Sequence, residues 1–287
     1  MKVKAYAKIN LYLQVRSKRT DGYHEIETLM QAIGLYDELV LTKAVRGISI
    51  SCSDKRLPVG PANLVYRAAQ AMRQAALNRG RKIAGIRIHL KKNIPVGAGL
   101  GGGSSDAAST LKALNRLWRV GLSPVELAGI GSQLGSDVPF FIYGGSAVAR
   151  GRGEKLCPVK GLPGRRLVLI KPPFGVSTRW AYENLKINLT KTPKNSKIIF
   201  YKLRKNHPKN LAWYLFNDLE SVCGQKHPLL LRIKRDMLAL GALAALMSGS
   251  GSTVFAIVPN RQVELRIREA WARKKGYWVW NGSAIKT

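Results

Sequence analysis

The residues best suited to chemistry lie in Pro95-Val96-Gly97-Ala98-Gly99-Leu100-Gly101-Gly102-Gly103-Ser104-Ser105, followed by Asp106-Ala107-Ala108. Five of the seven positions from 97 to 103 are glycine. That composition removes side chains where backbone must approach a ligand closely. An alternating strand (Ile86, Ile88, Leu90) feeds the segment, and an Ala-rich helix expected over Asp106 to Trp118 leaves it. Free N–H groups at such a helix start, together with the positive end of its dipole, form an anion site suited to phosphates. Ser104 and Ser105 add hydroxyl donors or a magnesium contact. The segment is not the G-x-x-x-x-G-K-[ST] loop, because no Lys follows the last Gly. Nor does an alternating βαβ run surround it, as a dinucleotide fingerprint requires. The plain structural alternative is a Gly-rich turn kept for tight packing. A second segment, Ser248-Gly249-Ser250-Gly251-Ser252-Thr253, carries little weight alone, because Ser/Gly hairpins are common.

The elements that must position these loops are legible in part. Val3, Ala5, Ala7, Ile9, Leu11, Leu13 and Val15 alternate with Lys2, Lys4, Tyr6, Lys8, Asn10, Tyr12 and Gln14. A period of two predicts a strand with one buried face, and it points Lys8 and Asn10 the same way. A polar turn through Asp21-Gly22 leads to Tyr23-His24-Glu25 and a second apolar stretch, Ile26 to Leu35. Leu64 to Asn78 reads as a helix closed near Gly80. Ser123-Pro124-Val125-Glu126 is a capping box opening a helix that ends near Gly135. Gly151 to Arg166 is rich in Gly and Pro and is the best candidate boundary between two lobes. After it come a strand over Leu167 to Ile170 and a helix following Ser177-Thr178. Further helices are expected from near Pro208 and Pro228. The chain ends in strand, Gly loop and strand (Ala244 to Val258), a helix from about Gln262 to Lys275, and a last strand around Tyr277 to Trp280. This order favours an α+β protein over an alternating parallel sheet.

The chain has 287 residues, 46% hydrophobic and 22% charged, a globular composition with room for a sizeable core. No apolar run approaches the roughly 20 residues needed to cross a bilayer. Charges interrupt the apolar pairs of the first eight residues, which does not read as a signal peptide. Cys52, Cys157 and Cys223 are odd in number and far apart, which predicts reduced thiols and a cytoplasmic setting. Four scattered histidines give no metal-cage spacing. Lys+Arg 48 against Asp+Glu 16 gives a net charge of +32, attractive to any phosphate-rich partner. Nucleic-acid binding is therefore a rival reading. The densest run, Lys186 to Lys209, holds eight basic residues and no acid, and its plain reading is a solvated face.

The motifs together resemble those of the GHMP kinases. The segment from Pro95 is similar to their second signature, and Ser248 to Thr253 to their third, a Gly loop that closes over nucleotide and substrate. Ala7-Lys8-Ile9-Asn10-Leu11 followed by Asp21-Gly22-Tyr23-His24-Glu25 resembles the branch acting on 4-diphosphocytidyl-2-C-methyl-D-erythritol. Gly135-Ser136-Asp137-Val138-Pro139-Phe140-Phe141 and Asn217-Asp218-Leu219-Glu220 add to the likeness. The resemblance runs from residue 5 to about 258. Tyr6 departs from it, standing where the family commonly has proline, and +32 is high for a metabolite kinase.

The resemblance implies a two-lobed α+β fold, with residues 1–155 as a larger N-terminal domain, 156–287 as a smaller C-terminal one, and a cleft between them. It implies ATP and Mg2+ as cofactors and phosphorylation of the 2-hydroxyl of a cytidine diphosphate-linked methylerythritol. No membrane and no specific nucleic acid partner are expected, and the sequence leaves the oligomeric state open. Lys8 and Asp137 take the catalytic roles, cation and base. Without the resemblance, Lys8 reads as an exposed strand lysine and Asp137 as a cap or turn residue before Pro139. The loop Pro95 to Ser105 and Asn63 would hold the nucleotide, although Asn63 also reads as an N-cap. Asn10, Tyr23, His24, Ser248 and Gly249 would hold the substrate. Tyr23 would stack on the cytosine and His24 bond its edge. Tyr182 is the candidate lid over the base, with helix core packing as its alternative.

Overall fold

The computed structural model describes residues 1–159, 161–162, 164–186 and 211–286. The basic run from 187 onward and the helix expected from Pro208 fall outside these, apart from Lys186 and a short helix, Leu211–Tyr214.

Two compact units divide the chain. The first comprises Met1–Ala7, Leu35–Pro95 and Gly101–Gly144. Its helix α1 (Leu64–Asn78) opens on Asn63, whose side chain accepts from the Val65 N–H. Val65, Ala68, Ala69, Met72 and Ala76 recur at helical spacing and form its buried face. Gly80 follows in the left-handed region with φ +67°, and the Arg81 N–H reaches back to the Ala76 carbonyl. Helix α2 (Gly102–Leu117) packs against α1 and buries Ala107, Ala108, Leu111 and Leu114. Helix α3 (Pro124–Leu134) has the capping box expected at Ser123 and Glu126. A short α4 (Val138–Tyr143) follows. Strand β4 (Gly85–Lys91) pairs parallel with β3 (Ile48–Cys52) and antiparallel with residues 38–44 of β2 (His24–Ala44).

The second unit comprises Lys8–Gly34, Val96–Leu100 and Gly145–Thr287. Here the inner part of β2 pairs with β5 (Ser146–Gly151), which pairs in turn with β6 (Lys155–Pro158). Strand β1 (Lys2–Lys18) pairs parallel with the two-residue β8 (Phe216–Asn217). A separate antiparallel sheet runs in the order β11 (Trp278–Ser283), β7 (Arg166–Lys171), β10 (Val254–Val258), β9 (Ala244–Met247). Helix Asp218–Lys226 follows β8 directly. It joins Pro228–Ala239 and Arg261–Ala272 in burying Leu219, Ile233, Met237, Ile267 and Trp271 against Val168, Ile170, Val254 and Ala256. Trp271 is the largest fully buried side chain among the described residues, so Trp271→Ala should cost about 3–5 kcal/mol.

Two expectations need correction. Strand β1 is not buried on one face only: from Ala7 to Val15 every residue is buried, the polar set Lys8, Asn10 and Gln14 included. Alternation marks side-chain direction, and the polar face is covered by loops rather than by water. Helix α2 starts at Gly102, four residues ahead of the predicted Asp106, because the glycines and serines continue the helical backbone rather than precede it. Strands β5 and β6 and helix α4 carry no clear periodicity in the sequence, and the alternation of β3 (Ile48-Ser49-Ile50-Ser51-Cys52) spans only five residues.

Candidate active site

The glycine-rich loop leaves β4 and reverses through three left-handed glycines, Gly97 (φ +62°), Gly99 (φ +73°) and Gly101 (φ +70°). At Gly99 the requirement is absolute. A Cβ there would stand 2.0 Å from the Ser248 carbonyl oxygen. Gly101 is the N-cap of α2 and offers no side-chain cap, so the first turn's N–H groups have no capping side chain to bond at that residue. The Ser105 hydroxyl donates to the Tyr6 carbonyl at 2.6 Å. Ser104 Oγ lies 3.7 Å from the position a Gly135 Cβ would take, which sets it beside the turn carrying Asp137. Asp137 precedes α4 as its N-cap residue but makes no side-chain capping bond. Asn63 both caps α1 and donates to the Pro58 carbonyl at 2.7 Å. A Cβ on Gly103 would meet Leu64 at 3.4 Å, so the start of α1 adjoins the start of α2.

In the second unit, Lys8 is buried, and its ammonium donates to Asn10 Oδ1 at 2.6 Å and to the Gly99 carbonyl at 3.2 Å. Asn10 Nδ2 donates to Thr28 Oγ1 at 2.8 Å, which donates on to the Tyr12 carbonyl at 2.6 Å. The Ser248 hydroxyl joins three segments. It accepts from the Asn10 N–H at 3.3 Å and donates to the Gly99 carbonyl at 3.0 Å, from its own place at the end of β9. The Thr253 N–H reaches the Ala98 carbonyl at 3.3 Å, and the Lys8 N–H the Leu100 carbonyl at 3.0 Å. Residues 97–100, Lys8, Asn10, Ser248 and Gly249 therefore form one tight cluster. Gly249 (φ +55°) has room for a Cβ only at 3.2 Å from Asn10 Oδ1 and the Gly99 carbonyl.

The aromatic candidates divide. The His24 and Tyr182 rings stack, with centroids 5.2 Å apart and planes 29° from parallel. Tyr182 sits on helix α5 (Thr178–Glu183), which Ser177 caps, and it also packs against the core of the second unit. Tyr23 is half exposed, and its ring faces the Arg152 guanidinium at 4.8 Å rather than another ring. Burial, with the nearby Lys18 charge adding to it, holds the His24 imidazole below its ordinary range. The neutral ring therefore offers one donor and one acceptor nitrogen near pH 7.

A charged cluster in the first unit escaped sequence reasoning. The Lys92 ammonium lies between Asp37 and Asp106, 2.8 Å from Asp106 Oδ2 and in an ion pair with Asp37 Oδ2. Asp37 Oδ1 accepts from the N–H groups of Asn93 and Ile94, at 2.6 and 2.8 Å. Lys92 Nζ would touch a Cβ on Gly102 at 3.3 Å, which puts the cluster beneath the first turn of α2. Burial pushes the Asp106 carboxyl up to about 7; Lys92 opposes that rise and Asp37 adds to it. Among the described residues Asp106 Oδ1 makes no hydrogen bond. The three residues come from separate elements, so no local spacing announces them. Asn217 was legible only as part of a motif without a role.

The strand-to-loop-to-helix geometry gathers backbone N–H groups and small hydroxyls at a helix start, an arrangement able to bind an anion. Matches to known proteins give the family. The model of the GHMP kinases N terminal domain matches residues 63–145, and that of the GHMP kinases C terminal matches residues 199–277. The chain belongs to the GHMP kinases. It is 47% identical over 269 residues to the 4-diphosphocytidyl-2-C-methyl-D-erythritol kinase of Pelotomaculum thermopropionicum, covering 92% of each chain. It is 45% identical over 280 residues to the enzyme of that name from Syntrophus aciditrophicus, covering 97% of each. A solved 4-(cytidine 5'-diphospho)-2C-methyl-D-erythritol kinase superposes over the full length of both chains, with TM-score 0.85 and 35% identity. The mevalonate kinase of Methanococcus jannaschii shares the fold, at TM-score 0.76 and 17% identity. The chain is thus a kinase, and the α+β expectation holds. No helix among the described residues is long and apolar enough to cross a membrane. Within the described residues no three His, Cys, Asp or Glu side chains are grouped to hold a metal ion by themselves.

Proposed function

We propose that this GHMP kinase transfers the γ-phosphoryl group of ATP to the 2-hydroxyl of 4-diphosphocytidyl-2-C-methyl-D-erythritol, in the cytoplasm, as a step of isoprenoid-precursor synthesis. The observation that carries this reading is the cluster of Lys8, Asn10 and the Gly97–Leu100 backbone, held together by the Ser248 hydroxyl. A fixed ammonium beside a phosphate-holding loop is the electrostatic part that phosphoryl transfer requires.

On this reading Asp137 takes the proton of the reacting hydroxyl and Lys8 offsets charge as the phosphoryl group moves. Pro95 to Ser105 hold the phosphates, and Asn63, beside that loop, lies next to the nucleotide. Asn10 and Gly249 meet the erythritol end, and Tyr23, His24 and Tyr182 hold the cytosine. Ser248 acts through its hydroxyl bridge. On the same reading residues 1–155 form the larger N-terminal domain, with the nucleotide loop and the catalytic pair, and 156–287 the smaller C-terminal one. Mg2+ binds through few carboxylates plus substrate phosphates, and the oxygen donors of Asp137 and Ser104 suit it. When bound with the nucleotide it offsets phosphoryl charge.

The test is ADP release with ATP and Mg2+, offering the diphosphocytidyl substrate beside mevalonate, homoserine and galactose. Turnover of the first alone is expected. Turnover of another would keep the reaction type and overturn the substrate. Lys8→Ala and Asp137→Asn should each lower kcat by roughly 10²–10⁴-fold; near-normal turnover in either removes that residue from its role.

A further inference from the structure

The motif Asn217-Asp218-Leu219-Glu220 has no role in the reaction as described, yet its side chains grip the segments that build the site. Asn217 is buried, and its amide is fully engaged. Oδ1 accepts from the Leu219 N–H at 3.0 Å, capping helix Asp218–Lys226. Nδ2 donates to the carbonyls of Met247 at 2.8 Å and Gly249 at 2.7 Å. Those two carbonyls flank Ser248, whose hydroxyl joins Asn10 to the glycine loop. Asp218 Oδ2 accepts from the Val15 N–H at 2.8 Å, on the strand that carries Lys8. Glu220 Oε1 accepts from the Met247 N–H at 2.9 Å, while its other oxygen pairs with Lys234 at 2.5 Å. Leu219 anchors the group in the core.

We infer that Asn217 is a positioning residue for the phosphoryl transfer: by holding the carbonyls on both sides of Ser248 it sets the hydroxyl that locks Lys8, Asn10 and the glycine loop together. The inference rests on the reading of that cluster as the active site. A helix cap needs only the acceptor, whereas positioning needs both N–H donors. Aspartate at this position keeps the acceptor and the shape but loses the donors. Serine keeps a capping oxygen without adding charge.

The experiment measures kcat, both KM values and thermal melting for Asn217→Asp, Asn217→Ser, Ser248→Ala and the Asn217→Ser/Ser248→Ala pair, with Lys8→Ala in parallel. Asn217→Ser and Asn217→Asp should lower kcat by roughly 10–100-fold, as misplacement on the ångström scale does. Their KM values should move less than kcat. The double variant should be no slower than the slower single variant, because both act through the same hydroxyl. Wild-type kcat in Asn217→Ser, losses that multiply in the pair, or an Asn217→Ser chain that does not fold would each overturn the inference in favour of a capping role alone. If Lys8→Ala stays active, the underlying reading of the cluster fails instead. An inactive Lys8→Ala beside a normal Asn217→Ser overturns only the present inference.

Discussion

The glycine-rich loop is secured in the second unit by neutral groups and in the first by charges. Around Gly97–Leu100 the loop's carbonyls accept from the Ser248 hydroxyl, from the backbone N–H groups of Lys8 and Thr253, and from the Lys8 ammonium. Beneath the first turn of α2 the partners are two carboxylates and one ammonium, all withdrawn from water. Neutral bonds keep their value at any pH and fail one at a time. A buried charge cluster depends on every one of its partners, because removal of one leaves the others desolvated and uncompensated. The charge-dense cluster serves the scaffold.

The contrast can be broken most severely at Lys92. Lys92→Met strands Asp37 and Asp106 as buried carboxylates and should cost about 3–5 kcal/mol of stability, read by denaturant unfolding. A loss under 1 kcal/mol would mean that water reaches the cluster. Gly99→Ala comes next. Its Cβ would collide with the Ser248 carbonyl and force a shift of about 1–3 kcal/mol, with about 1 kcal/mol more from the left-handed backbone. Unchanged melting would show that the two loops part easily. Ser248→Ala leaves the buried Asn10 N–H without its side-chain acceptor, and about 1–3 kcal/mol should be lost. A smaller stability loss than Gly99→Ala, but a clear fall in kcat, is the pattern that separates a bridge from a packing contact.

The smallest effect concerns pH. The His24 imidazole titrates below its usual value, so it stays neutral at pH 7 and charges only at more acid pH than a free imidazole. The KM for the cytidine substrate should be flat from pH 8 to pH 7 and rise only on the acid side of a free imidazole's titration. His24→Gln should flatten the acid limb. A rise that begins above pH 7 would contradict the direction of the shift.

Much of the scaffold was legible because its signals are local. The capping box at Ser123 and the Asn63-to-Gly80 helix follow from side chains within one turn of each other. The left-handed turns of the Gly-rich segment were legible because glycine adopts that backbone without strain. Burial on the polar face of β1 was illegible, since it depends on loops about 90 and 240 residues away in sequence. The Lys92 cluster was hidden for the same reason. The aromatic trio was read as a set, yet only His24 and Tyr182 meet, because Arg152 arrives from a different strand turn to cover Tyr23. Residue types announce which chemistry is possible; long-range contacts decide which copies of a residue take part.

The stacked pair of His24 and Tyr182 has a consequence for molecules meant to compete with the substrate. On the proposed reading, a base that stacks on Tyr182 displaces the His24 ring from that face and exchanges one aromatic contact for another, so it gains less than stacking in open water would suggest. Flat hydrophobic rings as a class should therefore be poor competitors. In the proposed cytosine site selection would fall to the rim of the heterocycle, where a neutral imidazole with one donor and one acceptor would tell cytosine from rings of similar size. An inhibitor gains more from matching that rim than from enlarging its face.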